Sequence, residues 1–331
     1  MIDQWIVELS PHEDAMFVDG LVNHGVSQRT NKSMAYIQSP PYPLEEVKEH
    51  TILCEDWDDF RKKVSFSRSP GGSGRYQGER IFRGQPRPAP EFTLASAWQR
   101  RFPAAVAVIE KSLGIPVQAL VGSSSGTTFL ASDPKDALEG YLKRFREHLD
   151  ALPGISIRGW TDEEVLALGR HHDLITTLLD WTHSPYVAAF FALADCYRLL
   201  RQGAARLPGN SAVVWCLLLT DEMKASIGAA ESPLKINKAR GEGAQRQVAQ
   251  QGLFTDLRVG PNIETYLFGK GLLDHLTCYE IPPSAHGPAM HDLYVMNIYF
   301  ATMYPDIVGA ALQANISPFI YDMIGQDLSK V

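Results

Sequence analysis

Three short segments of this chain carry more polar chemistry than their apolar neighbourhoods need. The first is Phe82-Arg83-Gly84, followed by Gln85. An arginine at the end of an apolar strand presents a planar, five-donor fork, which suits phosphate or carboxylate. The glycine after it lets a ligand or a neighbouring backbone approach closely. Taken alone, the triplet also fits a structural arginine–carboxylate pair.

The second segment runs His171-His172-Asp173-Leu174-Ile175-Thr176-Thr177-Leu178-Leu179-Asp180-Trp181-Thr182-His183-Ser184-Pro185. It sets histidines, threonines, an aspartate and a tryptophan where a strand feeds an apolar helix. A helix start offers free N–H donors to a ligand. The structural alternative is that Asp180 and Thr182 cap the helix while Trp181 is core. The third segment is Arg246-Gln247-Val248-Ala249-Gln250-Gln251-Gly252-Leu253-Phe254-Thr255. Each glutamine amide both donates and accepts, so it can read a ribose or an amide; an exposed loop ending at a glycine turn is the plainer alternative.

The elements that must position these segments are legible in part. Glu79–Gly84 is predicted to be a short strand, and Pro86, Pro88 and Pro90 to hold the chain extended after it. Helices are expected from about Thr93 to Leu113, from Asp133-Pro134 onward, and from the Thr161–Glu164 capping box to about His172. Ile175–Leu179 reads as a strand, and Ser184-Pro185 as the cap of a helix with Val187, Phe190, Phe191 and Ala194 inward. The unbroken apolar run Ala212–Leu219 suits a central strand buried on both faces. Leu253–Arg258 and Leu276–Ile281 are further strands. Met290–Met303 and the stretch after Pro305-Asp306 are expected to be helices. Strands and helices do not strictly alternate, which points to an α+β fold with a mixed central sheet flanked by helices.

In this order the three segments resemble the FRG-domain family, named for its Phe-Arg-Gly motif. Leu178-Leu179-Asp180-Trp181-Thr182, with Ser184-Pro185 and Ala189-Phe190-Phe191-Ala192, looks like that family's longest signature. Gln250-Gln251-Gly252-Leu253-Phe254-Thr255 is similar to its third motif, and Tyr304-Pro305-Asp306 to its C-terminal one. The likeness spans roughly residues 78–315. Arg170 stands where the family has glutamine, Asp173 and Ile175 where it has glycine and proline, and Thr177 where it has arginine.

The family's layout is in turn similar to ADP-ribosyltransferases, which implies an ADP-ribosyltransferase-like core and NAD as substrate. By that likeness Phe82, Arg83 and Gly84 line the NAD site, with Arg83 on the pyrophosphate or ribose. His171 retains a family position beside it. Trp181 and Thr182 flank the nicotinamide, and Gln250 takes the place of the catalytic acid of those transferases. Arg83, Gln250 and Asp180 are the catalytic candidates; Asp180 or Glu280 is the carboxylate that glutamine cannot replace. The implied activity is modification of a macromolecular target, protein or nucleic acid, as in a toxin or defence effector, and a partner or inhibitor protein is a further expectation. NAD hydrolysis, a non-catalytic nucleotide- or partner-binding module, and a metal-dependent hydrolase using His171, His172 and Asp180 are the other readings.

Composition sets the outer limits. The 331 residues are 45% hydrophobic and 21% charged, enough apolar material for a large core. The division expected is an N-terminal extension over residues 1–77, packed on the core, and an FRG-like domain over 78–331. Residues 61–101 hold ten Lys/Arg against Glu79 and Glu91, a basic island within a chain of net charge −7. Such an island can receive phosphates, while the acidic remainder disfavours wholesale nucleic-acid coating. The first residues show no basic stretch followed by an apolar one, and the longest apolar runs are too short to span a bilayer. The four cysteines show no metal or redox spacing. A cytoplasmic protein with buried thiols is expected.

Overall fold

The computed structural model describes residues 42–66, 78–100, 134–154, 156–172, 174–202, 209–228, 232–237, 245–258 and 261–328. Its centre is a seven-stranded mixed sheet in the order β1-β7-β4-β2-β3-β6-β5. The strands are β1 (Thr51–Leu53), β2 (Glu79–Gln85), β3 (Leu178–Thr182), β4 (Ala212–Leu219), β5 (Leu234–Asn237), β6 (Gly252–Leu257) and β7 (Leu276–Ile281). Only the β1–β7 pair is parallel; the others are antiparallel. This is the α+β, mixed-sheet arrangement that the pattern of elements predicts.

β4 shows why the sheet is buried on both faces. Ala212, Val214 and Cys216 enter one core cluster, and Val213, Trp215, Leu217 and Leu219 enter the other. The alternation of a two-residue period sorts a continuous apolar run onto opposite sides. The first face does not take α1 (Leu44–Glu49); it is covered by α2 (Trp57–Phe66), α5 (Pro185–Ala192), α6 (Ala194–Arg201), α10 (His286–Val295) and α12 (Ile307–Leu328). On the second lie Val47 of α1, α7 (Asp221–Gly228) and α9 (Ile263–Gly269). A smaller cluster joins α3 (Pro134–Asp150) and α4 (Asp162–His171) to Leu178 and Phe254 at the β3–β6 end. The two remaining helices, α8 (Gln245–Gln250) and α11 (Phe300–Met303), border the cleft described below.

Part of the chain ahead of residue 78 belongs to this body. β1 extends the sheet at β7, and Trp57, Phe60 and Val64 of α2 are core residues. Residues 1–41 lie outside the described residues.

Local signals set several boundaries. Thr161 and Glu164 make the reciprocal capping box that opens α4. Ser184 accepts from Val187 N and Pro185 occupies the first turn of α5. Three expectations shift. The strand expected at Ile175–Leu179 instead runs Leu178–Thr182, because the ladder to β6 begins at Leu178↔Asp256; ahead of it Ile175 N donates to the Tyr141 hydroxyl of a helix, and Leu178 N itself to Thr176 Oγ1. The helix expected over Met290–Met303 is broken between α10 and α11, where Asn297 adopts φ 64°. Residues 93–96 of the helix expected from Thr93 are not helical; Leu94 N donates to Glu264 instead, and the stretch beyond residue 100 lies outside the described residues. The Ser/Gly stretch Gly122–Gly126, whose composition reads as a loop, also lies outside them. Residues 1–50, whose sequence shows little periodicity, nonetheless contain α1. All four cysteines are buried and unbridged. Among the described residues no helix is long and apolar enough to cross a membrane.

Candidate functional site

β2 and β3 are neighbours in the sheet but share one paired position, Phe82↔Thr182. β2 is otherwise committed to β4 along its whole length, and β3 to β6. The two half-sheets therefore part beside this bridge. Arg83, only 8% exposed, fills the parting: its Nη1 donates to the Asp180 carbonyl at 2.8 Å and lies 3.8 Å from Asp180 Oδ2. A side-chain donor thus satisfies a strand carbonyl that a continuous ladder would have paired. Arg170, at the end of α4, donates to Asp180 Oδ2 at 2.9 Å. Both arginines act on the same carboxylate oxygen.

A cavity of about 100 Å³ opens here. Phe82, Arg83, Gly84, Asp180, Trp181, Thr182 and Gln250 all line it, so the structure brings together residues spread over 168 positions of sequence from Phe82 to Gln250. Its apolar wall is a cluster of rings: Phe190 packs edge-on to Phe300 at 5.0 Å between centroids, and Phe300 stacks on Tyr304 at 6.1 Å. Arg198 and Arg201 stand at its α6 side. Rings facing rings and arginines around one carboxylate make a surface that accepts a flat, partly anionic ligand. The enclosed space matches a single planar ring; anything larger would extend into the open mouth.

The third segment latches onto this wall. Arg246 bonds Asp306 through Nε at 2.7 Å, and its guanidinium lies over the Tyr304 ring. Gln250 Nε2 donates to the Met303 carbonyl at 3.0 Å, and the Gln250 carbonyl accepts from Thr182 Oγ1 at 2.6 Å. Gln251 takes φ 49° and turns the chain into β6. Gln250 therefore ties α8 to α11 and β3, and one N–H of its amide is committed to that tie. Tyr304-Pro305-Asp306, singled out in the sequence, is the other half of that latch.

Other predicted residues divide. Trp181 borders the cavity, but its indole Nε1 donates to Thr255 Oγ1 at 2.8 Å within the core, and it is 2% exposed. Thr182 also accepts from Ser184 N, at the start of α5. Glu280 sits on β7, paired with Val213 and Leu53, and lines neither cavity. His171 ends α4; its side chain lies outside the described residues, and His172 is exposed. Among the described residues no three His, Cys, Asp or Glu side chains gather as a metal site.

A carboxyl that the sequence did not single out lies near Arg83. Glu264, in the first turn of α9, is fully buried, and its Oε1 accepts from Leu94 N at 2.8 Å and from the Tyr42 hydroxyl at 3.2 Å. Burial pushes this carboxyl up to about 7 from 4.5, although those hydrogen bonds and the Arg83 charge hold it down. The folded state thus binds this proton more tightly than the unfolded chain. Folding stability is expected to be unaffected by this group below pH 4.5, to fall as pH rises from 4.5 to 7, and to level off above, with a total loss of about 3 kcal/mol. Urea unfolding of Glu264→Gln between pH 5 and 8 should show a flatter profile than the parent protein. An unchanged slope would place the pH dependence elsewhere.

Comparison with known proteins adds one finding. Residues 78–198 match the family model described as FRG domain. The match takes in β2, β3, α3 to α5 and α6 as far as Arg198, and so Arg83 and Asp180; it ends before Gln250 and Tyr304. No curated protein and no solved structure matches the chain.

Proposed function

We propose that this chain, which belongs to the FRG-domain family through residues 78–198, is an NAD-using, ADP-ribosyltransferase-like enzyme whose substrate lies across the parting between β2 and β3. The observation that carries this reading is the placing of Asp180, a carboxylate held by Arg83 and Arg170 on the wall of a ring-lined cavity. Splitting the nicotinamide–ribose bond leaves a ribosyl centre with cationic character and a neutral nicotinamide. A fixed carboxylate beside that centre stabilises the charge, and it does so most strongly where water is scarce. Gln250 cannot supply this, being neutral and bonded to Met303. Asp180 can: both arginine contacts fall on Oδ2, which leaves Oδ1 for the ribose side.

The remaining parts fit a dinucleotide. One ring is taken by the enclosed cavity, and the pyrophosphate lies in the open mouth near Arg83, Arg198 and Arg201. The acceptor would be a macromolecule approaching the same mouth.

The test is to incubate the protein with NAD labelled in its adenosine half and to follow nicotinamide release, with and without cell lysate. Release with label transfer supports the transferase, and release without transfer supports NAD hydrolysis. Binding without release would overturn the enzyme reading in favour of a nucleotide-binding module. Asp180→Asn is expected to lower the release rate about a hundredfold while NAD still binds. Release unaffected by this change would remove Asp180 from the chemistry.

A further inference from the structure

Asp180, Trp181, Gln250 and Tyr304 also form one wall of a second, smaller cavity of about 20 Å³, whose other lining includes Arg170, Arg246, Gln247 and Gly252. Gln247 is its unusual member. It is the buried residue of α8, 8% exposed, and both its Nε2 and Oε1 lack a hydrogen-bond partner among the described residues. Its side chain lies over Gly252, where an added Cβ would stand 3.5 Å from Gln247 Cγ.

A buried amide with neither end satisfied is costly, and native proteins seldom keep one without a use. The neighbouring Gln250 amide is turned to Met303 through one N–H, and the arginines at this cavity are engaged by Asp180 and Asp306. What Gln247 still offers is one N–H donor beside one carbonyl acceptor, in a single plane. The group that satisfies both at once is another planar amide, its C=O accepting from Nε2 and its N–H donating to Oε1. A carboxylate satisfies only the donor and sets its second oxygen against Oε1.

We propose that Gln247 is a specificity-determining residue that reads a carboxamide, and that the small cavity receives the carboxamide of a ring held in the adjoining larger one. This rests on the nucleotide reading of the cleft and makes the pyridine carboxamide of NAD the group recognised. The space is too small for a ring and fits the end of a substituent, which is why the shared wall of four residues matters. It makes the cleft selective for the amide form of the dinucleotide over the nicotinic-acid form.

The experiment compares four probes by calorimetry on the full chain: NAD, its nicotinic-acid counterpart, free nicotinamide and free nicotinate. The parent protein is expected to prefer each amide over its acid by about tenfold. Gln247→Met, of similar shape but without donor or acceptor, is expected to abolish the preference. Its thermal midpoint should equal or exceed that of the parent, since an unmet amide is removed. Should that variant fold poorly, Gln247→Leu, which likewise has neither donor nor acceptor, serves in its place, and the preference should again be lost. NAD binding with no amide preference, or a preference that survives both variants, would overturn this proposal and leave the nucleotide reading standing. Nicotinamide binding that depends on Gln247, with no dinucleotide bound, would do the reverse. Stabilising water alone in the cavity predicts no amide preference and a lowered midpoint for Gln247→Met, and would also overturn it.

Discussion

Gly84→Ala is expected to destabilise the protein by about 3 kcal/mol or more, enough to unfold much of a marginally stable chain. A Cβ at position 84 would lie 1.8 Å from the Ala188 carbonyl oxygen and 2.5 Å from Ala192 N, both backbone atoms of α5. Neither side can yield easily. β2 is held by β4 at seven successive positions, from Glu79↔Leu219 to Gln85↔Val213. α5 is fixed at its start by the Ser184 cap, and it presents Ala188, Ala189 and Ala192, all buried, to the core. The glycine of the Phe-Arg-Gly triplet thus brings a helix backbone onto a strand, and it is this backbone, not a ligand, that needs the missing side chain. Urea unfolding of the variant tests this directly; a change below about 0.5 kcal/mol would mean that α5 can slide, contrary to the packing described.

Arg83→Ala is expected to lower NAD affinity between about a hundredfold and ten-thousandfold, if two charge-assisted hydrogen bonds to the dinucleotide are lost. The sequence alone suggests that such a change would leave folding largely intact. The structure alters that expectation, because Arg83 also satisfies the Asp180 carbonyl. Removing it exposes a strand carbonyl at the parting and leaves Asp180 with Arg170, so about 1–3 kcal/mol of stability should go as well. Arg83→Lys separates the two effects. A lysine keeps a positive charge at this position but not the planar fork, so it should restore part of the affinity and less of the stability. Calorimetry with NAD and urea unfolding, run on both variants, give the two readouts. Full NAD affinity in a folded Arg83→Ala protein would remove Arg83 from the nucleotide site.

Where a feature depends on a few adjacent residues, the sequence was enough to find it. The capping box at Thr161–Glu164, the Ser184-Pro185 cap and the buried strand Ala212–Leu219 follow from local hydrogen bonding and a two-residue period, and all stand where they were expected. Arg83, Asp180, Thr182 and Gln250 were grouped by the likeness of their segments, in order, to one family, since each segment alone also fitted a structural role; the four do line one cavity. The short edge strands β1 and β5 were not, since three or four residues carry no readable period and are ordered by the neighbour they join. Roles within the cleft were decided by distance across the fold. Arg83 meets the Asp180 carbonyl 97 positions later because β2 and β3 part after a single bridge. Gln250 and Gln247 are alike as letters; one finds the Met303 carbonyl and becomes a latch, while the other is buried with its amide unmet. Sequence supplied the donors and acceptors, and only tertiary packing settled which of them the protein itself consumes and which it leaves unmet.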